Sequence, residues 1–173
     1  MDSPEFSYIV KTSEIGSKLR TGKLSATEEE RRKLAERFDL PKISALKADY
    51  NLVASDDRIA FTGVLEADLH QICSVTGESF PVRLREEFDI GFVSQLAIDE
   101  TEEEIELTEE DCDVIEYENG KIDLGEAIAQ TLYLALPQFP RGPNADAVAR
   151  EKLQSEEEAG PFGALAALKD KLR

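Results

Sequence analysis

Three consecutive stretches between residues 46 and 92 alternate apolar with polar side chains, and this pattern constrains the fold more than any other feature of the chain. Successive side chains of a strand point to opposite faces, so each stretch predicts a strand with one buried and one solvated face. The predicted strands cover residues 46–54, 59–69 and 80–92. Because polar turns at 55–58 and 74–78 separate them, we expect an antiparallel meander.

Two helices are predicted beside these strands. The capping box Ser25-x-x-Glu28 indicates that the first helix begins there. Apolar spacing continues to Phe38, and the helix is expected to end near Leu40, before Pro41. Asp123 is predicted to cap the second helix, which ends near Pro137. Residues 6–10 and 113–118 are expected to add short strands.

The predicted fold class is α+β, with residues 1–137 forming one domain: an antiparallel sheet or partly open β-barrel with two packed helices. Residues 138–173 are predicted to be a flexible acidic tail, because four prolines and a glutamate run lie in 137–161. A short amphipathic helix is expected at the end of this tail. Its apolar residues Phe162, Leu165 and Leu168 could dock on the chain's own core or on another protein.

The net charge of −17 is unevenly distributed along the chain. Residues 1–50 carry ten Lys/Arg and nine Asp/Glu, whereas residues 86–126 carry seventeen carboxylates and one cation, Lys121. Such a region repels phosphate and attracts cations, so we expect a basic protein partner there, unless the charge serves only solubility. The candidate contacts for a basic partner are Glu102, Glu103, Glu104, Glu109, Glu110 and Asp111.

Direct RNA binding is the alternative, because four cations gather on the first predicted helix. These candidate RNA contacts are Arg31, Arg32, Lys33 and Arg37. Glu28 and Glu29 lie four residues before Arg32 and Lys33, a spacing that forms ion pairs and offsets the positive charge.

Motifs for catalysis, cofactor binding or metal binding are missing from the sequence. The single histidine, His70, is predicted on the solvated face of a strand without a partner base, and no phosphate-binding glycine loop is present. Cys73 and Cys112 cannot by themselves complete a zinc site, which needs about four ligands. We therefore expect no enzyme activity, no cofactor and no metal. A cytoplasmic location is expected because the N-terminus does not resemble a signal peptide and no apolar stretch is long enough for a bilayer.

Three stretches resemble the YceD family, the large ribosomal RNA subunit accumulation proteins of bacteria, with relatives in plastids. Residues 72–82 correspond to the family's Cys-x-x-Cys turn and the strand after it. Residues 119–137 are similar to its Gly-x-Ile-Asp-Leu helix ending in Leu-Pro, and residues 160–169 resemble its closing Asn-Pro-Phe-x-x-Leu-x-x-Leu-Lys segment. Residues 1–70 match only in general layout.

The resemblance implies a non-enzymatic role in the accumulation of large-subunit (23S) ribosomal RNA and in ribosome assembly. The resemblance supplies no mechanism. Because ribosomal proteins and many assembly factors are basic, the acidic region predicts one of them as the partner, with rRNA as the alternative contact and no membrane partner. Thr76 stands where many members have a second cysteine, and Arg141 stands where they have histidine and cysteine beyond the Leu-Pro helix. The cluster that could bind zinc in those relatives is therefore missing here, which is the second reason to expect a metal-free protein.

Overall fold

The alternating stretches form the three long strands of a five-stranded sheet in the computed structural model, which describes residues 4–55, 58–95 and 113–159. In chain order the elements are β1 (Ile9–Lys11), β2 (Arg20–Ser25), α1 (Glu28–Arg37), β3 (Lys42–Ala54), β4 (Ile59–Ile72), β5 (Ser79–Ser94), β6 (Val114–Tyr117), β7 (Lys121–Asp123), α2 (Leu124–Ala135) and α3 (Ala145–Ala159). The α+β class is confirmed.

The five-stranded sheet has the order β2-β3-β4-β5-β6, and β1 pairs with β7 in a separate two-stranded sheet. β2 and β4 are each antiparallel to β3, whereas β6 runs parallel to β5. The sheet is therefore mixed, and the meander describes only part of it. The barrel alternative is wrong because β2 and β6 are the two edges of an open sheet.

The described residues divide into two compact units, the first comprising residues 4–70 and 81–136 and the second comprising 71–80 and 137–159. The assignment of residues 1–137 to one domain stays a prediction. No helix within the described ranges has the length and apolarity needed to span a membrane.

The core of the first unit includes most of the residues that the alternation placed on one face, together with residues from both helices. Phe61 of β4 is fully buried, and its ring centroid lies 5.5 Å from that of Tyr50, 4.9 Å from that of Phe88 and 6.0 Å from that of Phe92. Gly63, two residues farther along β4, has no side chain, and a Cβ there would lie 2.9 Å from the Phe88 ring. The ring cluster therefore needs a glycine at that position.

The two predicted helices are present, but the first begins later than expected and ends at Arg37 rather than near Leu40. Ser25 belongs to β2, where it pairs with Lys47, so it is unavailable as a cap. Thr27 is the N-cap instead, and it forms a reciprocal capping box with Glu30. The predicted cap of the second helix is confirmed, because the Asp123 side chain accepts hydrogen bonds from the backbone of the first turn of α2.

The expected flexible linker contains a third helix, α3. Three of the prolines fall in 137–143, before the helix, and Pro161 lies after it, so residues 145–159 themselves contain no proline or glycine. Averaging the composition over 137–161 concealed this helical stretch. Phe162, Leu165 and Leu168 lie outside the described residues.

Candidate interaction surface

The four cations proposed to bind RNA lie on α1, where each already has a partner. Arg32 Nη1 lies 2.7 Å from Glu36 Oε1, and Lys33 Nζ lies 3.4 Å from Glu29 Oε1. Arg31 Nη1 donates to the Ala26 carbonyl at 2.6 Å. Arg32 thus pairs with Glu36 rather than with the expected Glu28.

Arg37 is the most strongly engaged of the four. Its two terminal nitrogens each donate to Glu126 at 2.8 Å, and Nη1 also donates to Glu5 at 3.1 Å. These hydrogen bonds, led by that to Glu126, raise the pKa of Arg37 and lower that of Glu126. Because most of its charge is compensated within the first unit, Arg37 offers little free positive charge to phosphate.

Cations on the solvated face of the main sheet are also paired with carboxylates. Lys23 Nζ lies 2.8 Å from Asp49, Arg83 Nε lies 2.7 Å from Asp68, and Arg85 pairs with Glu66. These pairs are exposed, so each stabilises the fold only slightly. Carboxylates therefore balance part of the positive charge of the first unit.

The acidic region 86–126 is described only in part. Glu102, Glu103, Glu104, Glu109, Glu110 and Asp111 lie outside the described residues. The described carboxylates of this region include Glu86, Glu87 and Asp89 on β5, and Asp113 just before β6, and all four are exposed. None of these four forms an ion pair with another described residue.

A cleft of about 380 Å³ lies between the β5–β6 pair and α2. Phe88, Ile90 and Ile115 contribute apolar surface from the strands, and Ala127 and Leu134 contribute it from the helix. Glu86, Glu87 and Asp113 also line the cleft, and the described residues contribute no cation to its lining. The cleft can therefore accept a group that is both apolar and positively charged.

This acid-rimmed cleft, defined by the residues just named, was not predicted from the sequence. Glu86 carried a signal, because it takes the place of an apolar residue in the alternating series between Leu84 and Phe88. Leu134 is 80% exposed although the helical pattern placed it on a broad apolar surface. The cleft explains both irregularities, since each residue lies on its lining.

In the second unit, Cys73 opens a tight turn through residues 73–77. The Gly77 amide donates to the Cys73 carbonyl at 2.9 Å, and the Thr76 amide donates to Cys73 Sγ at 3.4 Å. Hydrogen bonds from Thr76, and then from the Gly142 backbone, lower the pKa of the buried thiol to about 7. The Thr76 amide thus contacts the sulfur directly.

The donor set around this turn does not fit zinc. The residues that the structure describes contain no group of three or more His, Cys, Asp or Glu side chains placed to hold a metal ion. Cys112 lies outside them. His70 is half-buried on β4, and its Nδ1 has no hydrogen-bond partner among the described atoms.

Comparison with known proteins links part of this architecture to a family. A family model described as large ribosomal RNA subunit accumulation protein YceD matches residues 61–169, well over half of the chain. Searches of curated proteins and of solved structures found no match. The matched range contains every residue of the cleft, whereas α1 and its cations lie before it. The family's name points to a role in the accumulation of large-subunit ribosomal RNA, and the match shows that this chain belongs to the YceD family.

Proposed function

We propose that this protein supports accumulation of 23S ribosomal RNA and assembly of the large ribosomal subunit in the bacterial cytoplasm, without catalysing a reaction. It does so by binding a basic ribosomal protein or a large-subunit assembly factor through the acidic surface of residues 86–126. The observation that carries the proposal is the charge of this region, with seventeen carboxylates against the single cation Lys121.

An acidic surface acts on a basic partner in two ways. Long-range attraction speeds the encounter of the two proteins. Once they are bound, the carboxylates pair with lysines and arginines of the partner that would otherwise contact RNA prematurely. A protein of this kind can promote rRNA accumulation without touching the RNA, because it keeps a subunit component soluble until assembly.

Salt-dependent capture of purified large-subunit proteins and assembly factors by the full-length chain tests the proposal. At low ionic strength we expect a basic large-subunit component to be retained, and we expect its release as added salt screens the exposed charges. Retention of none of these components would contradict the proposal.

Matched charge variants locate the contact. Neutralising Glu102, Glu103 and Glu104 to glutamine should weaken retention severalfold. The control neutralises Glu14, Glu28 and Asp39, which are exposed and lie outside the acidic region, and changes the net charge by the same amount. If the two variants lose retention equally, binding responds to net charge alone and does not depend on a localised acidic surface.

Direct rRNA binding through α1 remains the alternative prediction. The carboxylate pairs of Arg32, Lys33 and Arg37 weaken the case for it, whereas Arg31 donates only to a neutral carbonyl. A gel shift with 23S rRNA separates the two modes. Arg32→Ala with Lys33→Ala tests it better than any Arg37 variant, because Arg37 also pairs with Glu126. Tight rRNA binding that this double variant reduces tenfold or more would favour the alternative.

A further inference from the structure

The acid-rimmed cleft leaves apolar surface open to solvent within a strongly acidic region. Leu134 on α2 is 80% exposed, and Val114 at the start of β6 is 39% exposed. Both line the cleft. Solvated apolar side chains beside an open cleft are typical of surfaces that bind a partner.

The rim of the cleft selects the charge of that partner. Glu86, Glu87 and Asp113 line the cleft beside Phe88 and Ile90. These three carboxylates have no ion-pair partner among the residues that the structure describes. The cleft therefore favours lysine or arginine and repels phosphate.

We infer that the acid-rimmed cleft binds a basic segment of the partner protein that inserts at least one large apolar side chain between Leu134 and Ile115, with lysines or arginines against Glu86, Glu87 and Asp113. The inference rests on the proposed function and adds to it an apolar requirement. Purely electrostatic attraction would accept any basic chain, whereas this cleft selects basic segments that carry leucine, isoleucine, valine or phenylalanine in the right place.

The chemistry of the cleft argues against a nucleic acid as its occupant. A nucleotide or RNA phosphate would face three carboxylates and, among the described lining residues, no cation. A cationic and apolar polypeptide satisfies both parts of the lining.

A pair of labelled peptides of equal charge tests the apolar requirement. The first probe is a synthetic twelve-residue peptide with six lysines and two leucines four positions apart, and the second replaces both leucines by serine. With the full-length protein at moderate salt, fluorescence anisotropy should show about tenfold tighter binding of the leucine peptide, since burial of a leucine contributes on the order of one decade in affinity.

Two variants assign the effect to the cleft. Leu134→Ser should remove the advantage of the leucine peptide while leaving binding of the serine peptide unchanged. Because Leu134 is 80% exposed, this variant should keep the fold, which its circular dichroism melting curve verifies. Leu19→Ser is the matched control, since Leu19 is 63% exposed, does not line the cleft and should leave the advantage intact.

The outcomes separate this inference from the proposed function. Equal affinity for both peptides would overturn the cleft inference and leave electrostatic binding standing, whereas no binding of either peptide at low salt would overturn both. Self-association of the chain that Leu134→Ser abolishes would assign the cleft to a second copy and overturn the inference. If the leucine peptide binds more tightly only after residues 160–173 are deleted, the cleft would be assigned to the chain's own C-terminal residues. That outcome would also overturn the inference.

Discussion

Arg37 and Glu126 form a two-pronged ion pair that links the last turn of α1 to the first turn of α2. Arg37 Nη1 donates to Glu126 Oε2 and Nη2 donates to Glu126 Oε1, both at 2.8 Å. The Arg37 guanidinium carbon also lies 5.5 Å from the centroid of the Phe38 ring. A planar guanidinium matches both oxygens of a carboxylate, and lysine cannot reproduce this geometry.

Removing the pair should destabilise the first unit measurably. We expect a double-mutant cycle with Arg37→Gln and Glu126→Gln to give a coupling energy of about 1 kcal/mol, at the upper end for a partly exposed pair because the geometry is bidentate. Urea unfolding of the four proteins provides the measurement. The exposed Arg32–Glu36 pair is the control and should couple by about 0.3–0.5 kcal/mol. Equal coupling energies for the two pairs would contradict the special role of Arg37.

The same pair predicts a loss of stability in acid. Arg37 holds the pKa of Glu126 below its ordinary value of 4.5, which means that the folded state stabilises the charged carboxylate. Its contribution is fully present above 4.5 and is lost as the pH falls through the lower folded pKa. The difference in free energy of unfolding between the wild type and Glu126→Gln should be constant from about pH 7 to pH 5 and shrink below that. When both proteins also carry Arg37→Gln, this decrease of the free-energy difference at low pH should nearly vanish. If the decrease persists, a group other than Arg37 lowers the pKa of Glu126.

The central strands could be predicted from the sequence because alternation reports burial directly. Leu52, Phe61 and Leu65 are completely buried where the pattern placed them. A short strand at 113–118 was predicted, but the parallel pairing of β6 with β5 could not be foreseen. Periodicity shows which side chains face inward and carries no information about strand direction or order.

Only the charge of the candidate surface could be predicted from the sequence. Counting carboxylates locates the acidic region, but the cleft depends on Leu134 and Ile115, which lie nineteen positions apart and are brought together by the packing of α2. The partners of the α1 cations were partly predictable, because Lys33 pairs with Glu29 at helical spacing. The partner of Arg37 lies eighty-nine residues away, beyond the reach of any local pattern.

Gly63 should be intolerant of even a single methyl group. A Cβ at this position would overlap the Asp49 carbonyl oxygen and lie 2.9 Å from the Phe88 ring, so the backbone of β3 would have to move. We expect Gly63→Ala to destabilise the protein by about 3 kcal/mol, which is typical of an overpacked core. Gly16→Ala is the control, because a Cβ there has only the Lys18 amide nitrogen nearby, at 4.0 Å. Thermal unfolding of both variants distinguishes them, and similar melting temperatures would show that the sheet can yield.

Asp123 should contribute more than an ordinary helix cap. Its side chain accepts from the amides of Gly125 at 3.0 Å and Glu126 at 3.2 Å, and also from the Tyr8 amide at 2.8 Å and the Ser7 hydroxyl at 2.5 Å. It therefore caps α2 and holds the chain before β1 at once. We expect Asp123→Ala to cost about 2 kcal/mol, and Asp123→Asn to cost less because it keeps one oxygen acceptor. Denaturant unfolding measures both, and equal costs would show that the charge matters more than the capping oxygen.

Cys73 should titrate near neutral pH through its contact with Thr76. Hydrogen bonds from Thr76 lead the effects that lower the thiol pKa from 9.0 to about 7. Because this folded pKa is depressed, the thiolate stabilises the fold fully above 9.0, and the contribution declines as the pH falls towards about 7. Ultraviolet absorbance of the thiolate in a Cys112→Ser background measures the titration. Thr76→Val removes the hydroxyl and should move the midpoint upward towards 9.0, whereas Ser74→Ala, next to Cys73 in the same turn, should leave it unchanged. A midpoint that stays near 7 in Thr76→Val would show that backbone amides alone hold the sulfur charge.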